Sequence, residues 1–194
     1  MKTGAKGKIC QALLELADGK SAQDVTVSEL IARAGINRST FYYHFTGTHE
    51  ALEYMMDDFC AQYLSALMIP RGEVAKSISK SSQDALEKGV CDYIRKAGHV
   101  VPFFLQEPHY RLFAKHFRKA FQDYCQAHTI VQVFPDGHTE QLKRGVFYDY
   151  YVHMSCLRLF AVLECWAERN FSETEEDFVH IFDTLHNTSI SFQG

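Results

Sequence analysis

The sequence predicts an all-α chain: a three-helix N-terminal domain over residues 1–47, followed by a larger helical domain over residues 48–194. Apolar residues recur at helical spacing from the start, at Ile9, Leu13, Leu16 and Ala17. Two later segments, residues 48–68 and 139–168, have the length and apolar content of much longer helices. Hydrophobic residues make up 46% of the chain, which supplies a core and excludes wholesale disorder.

The first helix ends near Asp18-Gly19 and braces the next two. Residues 26–45 read T-V-S-E-L-I-A-R-A-G-I-N-R-S-T-F-Y-Y-H-F, two short helices joined by a tight turn. Thr26 caps the first of them while Glu29, three residues on, reaches back to the capping amide. Val27, Leu30, Ile31 and Ala34 are its expected buried stripe, Gly35 admits the positive φ of a turn, and Ile36 plugs the core between the helices. Asn37 then accepts from the free amides that open the next helix.

At about 100° per residue, Phe41 and Phe45 fix the inward direction of that second helix. Ser39 and Tyr43 point outward, Thr40 lies beside them, and Tyr42 and His44 flank them, with Arg38 in the first turn. In a helix-turn-helix the N-terminal part of the second helix meets base edges in the major groove. There a guanidinium bridges guanine O6 and N7, a hydroxyl serves several bases, and an aromatic ring packs on a thymine methyl. Arg38, Ser39 and Tyr43 are therefore the expected base readers, and Thr40, Tyr42 and His44 the expected phosphate contacts.

Downstream, residues 48–68 close at Pro70 and form the natural connection between domains, and residues 71–82 read as a loop or frayed helix. Helical patterns resume over 83–97, 100–106 and 108–127, with Pro108 suited to a first helical turn. Val131, Val133 and Phe134 ahead of Pro135-Asp136-Gly137 suggest a short strand and a turn. The longest helix, 139–168, is apolar on nearly every side, so it must be buried on two fronts. A final helix over 173–187 carries a matching stripe. Leu157 and Ala161 with Phe178, Ile181, Phe182 and Leu185 are the expected interface of a homodimer.

The residues of the 26–45 segment closely follow T-V-x-x-I-A-x-x-A-G-V-x-x-x-T-F-Y-x-H-F-x-x-K, and here the chain resembles the TetR family of bacterial transcriptional regulators. The resemblance covers the first quarter of the chain tightly. It implies a small DNA-binding domain ahead of a larger helical ligand and dimerisation domain, with double-stranded DNA as partner and a small molecule as effector. Carried over by position, it implies backbone contacts from Thr26, Ser28, Thr40, Tyr42 and His44 and base contacts from Arg38, Ser39 and Tyr43. Where the family commonly places a phosphate-gripping lysine, this chain has Thr48, followed by His49. Both are expected to reach phosphate through the helix N-terminus, with less charge and with pH dependence.

Charge does not itself announce a nucleic-acid protein. The net charge is −4, and residues 1–50 hold six Lys/Arg against five Asp/Glu, whereas a domain recognised by charge alone has a pI above about 9. Lys2, Lys6 and Lys8 form an arm that either lies along phosphates or is a solvated terminus. Six scattered cysteines without a C-x-x-C pair read as buried free thiols. No signal peptide and no apolar run of about eighteen residues is present, so a soluble, cytoplasmic protein without membrane contact is expected.

No catalytic constellation, cofactor motif or metal-ligand spacing appears among the ten histidines, so neither enzyme activity, cofactor nor metal is expected. His109 and His116, seven apart, could share a ligand. Phe103, Phe104, Phe113, Phe117, Phe147 and Tyr151 are the expected aromatic walls of a ligand pocket. Arg158, in apolar surroundings, requires a partner: an anionic ligand, an acid such as Asp149 or Glu164, or a carbonyl across the dimer.

Overall fold

Capping fixes most of the N-terminal architecture before any long-range packing is considered. In the computed structural model, which describes residues 4–18, 20–67, 80–133, 139–174, 176–177 and 180–181, helix α1 spans Ala5–Leu16. After a 3-10 turn at Ala22–Asp24 come α2 (Val27–Ala34) and α3 (Arg38–His44). Thr26 and Glu29 form the expected capping box, Gly35 sits at φ 62° as the left-handed stop of α2, and Asn37 accepts from the Thr40 amide at 2.7 Å. Helix α4 (Thr48–Leu67) opens on a similar device, the Thr46 amide and hydroxyl both donating to Glu50.

The chain packs as two compact units. The first comprises residues 1–62 and 99–124. It holds α1 to α3, most of α4, the short α6 (Val101–Leu105) and nearly all of α7 (Tyr110–Ala127). Its core joins Ile9, Leu13, Leu30 and Phe41 of the helical triad to Leu52, Met56 and Phe59 of α4 and to Phe104, Phe113 and Phe117, all close to fully buried. The rings interlock, with Phe59 5.9 Å from Phe104 and 6.0 Å from Phe113, and Phe104 4.9 Å from Phe113. An Arg33–Glu15 ion pair ties α2 to α1.

The second unit comprises residues 63–98 and 125–194. Helix α5 (Lys80–Ala97) contributes Val90, Cys91 and Ile94 to its core, and α8 (Val146–Glu168) contributes Val152, Cys156, Leu159, Leu163 and Trp166. Beyond α8, Asn170 and Phe171 adopt positive φ, which folds the chain back so that Phe171 packs edge-on against Trp166. Gly98 leaves room for the same ring, since a Cβ there would lie 3.2 Å from Phe171. A Thr174–Asp177 capping box precedes helical residues 176–177 and 180–181.

Several boundaries differ from expectation. The expected strand exists, β1 (Val131–Val133), but it pairs antiparallel with β2 (Thr139–Gln141), Gln132 opposite Glu140. The longest helix therefore begins at Val146, not at residue 139, because the ribbon claims the residues before it. Helix α5 starts by Lys80, ahead of the expected residue 83, and the rest of the 71–82 segment lies outside the described residues. Pro108 stands in the turn before α7 instead of within its first turn. Among the described residues no helix is long and apolar enough to cross a membrane.

Candidate nucleic-acid interface

Helix α3 sorts its side chains sharply. Phe41 is fully buried and Phe45 nearly so, while Arg38, Ser39, Tyr42 and Tyr43 are exposed, Tyr43 to 84%. Thr40 and His44 are half-buried at the flanks. The Arg38 guanidinium lies 5.4 Å from the Tyr42 ring and donates to its hydroxyl at 3.4 Å, which holds the cation beside the helix without neutralising it. Ser39 donates to Asn37 at 2.7 Å, so its hydroxyl oxygen remains an acceptor on the outer face. The ring of Tyr43 stands edge-on to His44 at 4.9 Å.

The other sequence-derived contacts lie around this helix. Ser28 and Thr26 are exposed at the start of α2, where the Thr26 hydroxyl already serves the capping box. Glu29 is held below the usual carboxylate range, chiefly by the Thr26 amide, and Glu50 likewise by the Thr46 amide. Thr48 is half-buried and donates to the Val25 carbonyl at 2.9 Å. Sequence reasoning missed that bond because nothing in the local pattern joins residues 23 apart. His49 is exposed and 3.6 Å from Glu53. Lys6, expected in a free basic arm, sits over the Tyr54 ring at 4.4 Å, a cation–π contact that fixes it to α4; Lys2 lies outside the described residues.

The two histidines spaced seven apart are held by different partners. His109 is buried ahead of α7, its Nε2 accepting from the Ala22 amide and its Nδ1 bonded to the Phe103 carbonyl, each at 3.1 Å. His116 instead meets Asp57 at 2.6 Å and Glu53 at 3.5 Å on α4. Among the described residues no group of three or more His, Cys, Asp or Glu is arranged to hold a metal.

The residues expected to line one pocket are divided between the units. Phe103, Phe104, Phe113 and Phe117 lie in the first, the last three fully buried, and Phe147, Tyr151 and the half-buried Arg158 lie in the second. Phe147 and Tyr151 are 65% and 42% exposed on α8. Leu157, Ala161 and Ile181 of the expected dimer face are exposed, and Phe178, Phe182 and Leu185 fall outside the described residues. All six cysteines are free, but Cys165 is exposed where a buried thiol was expected. Burial pushes Cys10 up to about 12 and Cys125 to about 11, which keeps both as inert thiols.

A capped α2, a left-handed glycine and a half-polar α3 over a buried Phe41 compose a helix-turn-helix, and residues 9–54 match the family described as bacterial regulatory proteins, tetR family. This segment belongs to the tetR family. The match thus covers most of α1, all of α2 and α3, and the start of α4. Over nearly its whole length the chain shares the fold of solved structures of TetR-type regulators. One is a transcriptional regulator of the TerR/AcrR family from Aquifex aeolicus, with TM-score 0.52 and 16% identity over 91% of this chain and 94% of that one. Another is the TetR family transcriptional regulator PfmR from Thermus thermophilus, with TM-score 0.52 and 15% identity over 99% of this chain and all of that one. No curated protein matches the chain by sequence.

Proposed function

We propose that this protein is a cytoplasmic, non-enzymatic transcriptional regulator that binds a palindromic operator as a homodimer and represses until a small molecule releases it. The observation that carries the reading is the outer face of α3. Arg38, Ser39 and Tyr43 are exposed in its N-terminal two turns while Phe41 anchors the helix from beneath. Residues 1–47 serve as the DNA-contacting part and residues 48–194 as the controlling and dimerising part. In that division Thr40, Tyr42, His44, Thr26, Ser28, Thr48 and His49 set register on phosphates, which carry no sequence information.

Two-fold symmetry is supported by α8, whose exposed Val146, Phe147, Tyr150, Met154 and Leu157 form an apolar stripe of a kind that monomers rarely leave in water. Control by a protein partner instead of a metabolite is the second reading, favoured by the interlocked packing of Phe59, Phe104, Phe113 and Phe117, which leaves those rings as core.

Selection of duplexes from a random pool tests the DNA reading directly. An inverted repeat is expected. Arg38→Ala is then expected to cost about 1–3 kcal/mol and to relax preference at particular base pairs, whereas Tyr42→Phe weakens all sequences alike. A selected motif unchanged by Arg38→Ala removes the proposed reading face.

A further inference from the structure

The turn that leads into α2 is held by two bonds from far away in the sequence. Residues Ala22 and Val25 are buried at 1% and 2% exposure. The Val25 carbonyl accepts from Thr48 of α4, and the Ala22 amide donates to His109, 87 residues distant. Ala22 opens the 3-10 turn, so its amide has no partner within the turn and would be stranded if His109 let go.

An amide nitrogen can only donate, so Nε2 of His109 must be unprotonated and its proton must sit on Nδ1, where it is donated to the Phe103 carbonyl. The imidazole is therefore neutral and in a single tautomer. Its ring is also clamped against Phe103, centroids 4.3 Å apart, and the His109 amide donates to the Gln106 carbonyl at 2.8 Å. Among the described residues no charged side chain hydrogen-bonds or pairs with it; its partners are the backbones of Ala22 and Phe103 and the Phe103 ring. A ring so fixed moves with the α6–α7 corner. The turn at Ala22 moves with the ring, and Thr26, four residues on, starts α2.

We infer that His109 is a positioning residue for DNA binding: through its unprotonated Nε2 it sets the helix-turn-helix against the α6–α7 corner, so that displacing that corner or losing the acceptor lowers operator affinity. The inference rests on the proposed DNA-binding function. It requires no contact between His109 and DNA.

The experiment compares the full-length protein with His109→Leu, His109→Gln and Ala22→Pro, the last replacing the donor N–H by a ring methylene that also crowds the histidine. Two measurements are made: amide exchange over residues 20–34 by mass spectrometry, and affinity for a duplex selected by the wild type. Leu and Pro variants are expected to keep wild-type helix content, to exchange faster over residues 20–34, and to bind about tenfold more weakly, the loss of one buried hydrogen bond. Combined, they should lose little more than either alone. The glutamine oxygen can accept from the Ala22 amide, so His109→Gln should recover most of the affinity.

Wild-type exchange and affinity in both the Leu and Pro variants would overturn the inference, as would a Gln variant no better than Leu. Should His109→Leu fail to fold, His109→Met takes its place in the same two readouts, again against His109→Gln. A wild-type protein that selects no duplex overturns the DNA-binding function, and the exchange contrast then still decides whether His109 holds the turn.

Discussion

Within α2 and α3 Leu30 and Phe41 are fully buried, Val27, Ile31 and Ala34 of the expected buried stripe are half-buried, and Ser28, Arg38 and Ser39 meet solvent. Helix α8 buries a comparable row, Val152, Cys156, Leu159 and Leu163, yet exposes Val146, Phe147, Tyr150, Tyr151, Met154 and Leu157 on another side. The first pair of helices is explained by its own chain: caps, a left-handed glycine and a polar outer face complete it. The second is not, because an apolar side left in water calls for something outside the residues described. The comparison separates structure that a chain completes within a few residues from structure that needs something further to cover it.

The sharpest way to break that contrast is to charge the exposed side of α8. Burying a leucine contributes about 1.5–3 kcal/mol, and a two-fold interface counts each residue twice. Leu157→Asp is therefore expected to weaken a dimer by at least about 3 kcal/mol and to give monomers in analytical ultracentrifugation at micromolar concentration. Its 44% exposure leaves the fold of the single chain little affected. A variant that sediments as a dimer identical to the wild type would mean that this side of α8 faces something else.

Next in size is the interior that the two readings of control dispute. Phe113 is fully buried against Phe59, Phe104 and Phe117, and a phenylalanine in packed core costs about 3–5 kcal/mol when cut to alanine. Phe113→Ala should lower the denaturant midpoint accordingly. A loss under about 1 kcal/mol would instead point to a wall lining open space and would restore the aromatic cavity to the proposal.

These expectations mark how far the sequence could be read. The Thr26 capping box, the αL Gly35, the Asn37 cap and the outward face of α3 all follow from contacts within four residues, and all four are in the structure. The strand at Val131 was legible from its turn signal, but its partner, Thr139–Gln141, was absorbed into a helix because a three-residue strand has no periodicity to detect. The bonds from His109 to Ala22 and from Thr48 to Val25 join positions whose neighbourhood only the fold creates. Aromatic residues at helical spacing suit both pocket and core, and more often form core. Interlocked rings separate the two for Phe104, Phe113 and Phe117, whereas Phe147 remains exposed.

The smallest effect tests whether the helix-turn-helix is as locally determined as its caps suggest. Thr26→Ala removes the hydroxyl that accepts from the Glu29 amide and should cost about 1 kcal/mol. Glu29→Gln tests the reciprocal half of the box, in which the carboxylate accepts from the Thr26 amide at 2.7 Å. That hydrogen bond lowers the Glu29 carboxyl from its usual 4.5, so its contribution is fully present above that pH and is lost as pH falls through the depressed folded value. The wild type should therefore melt above the Gln variant at neutral pH, with the gap closing only in acid well below 4.5. A gap that stays constant into that range would show that the two proteins differ in something other than the charge on Glu29, and the box would lose its claim to define the start of α2.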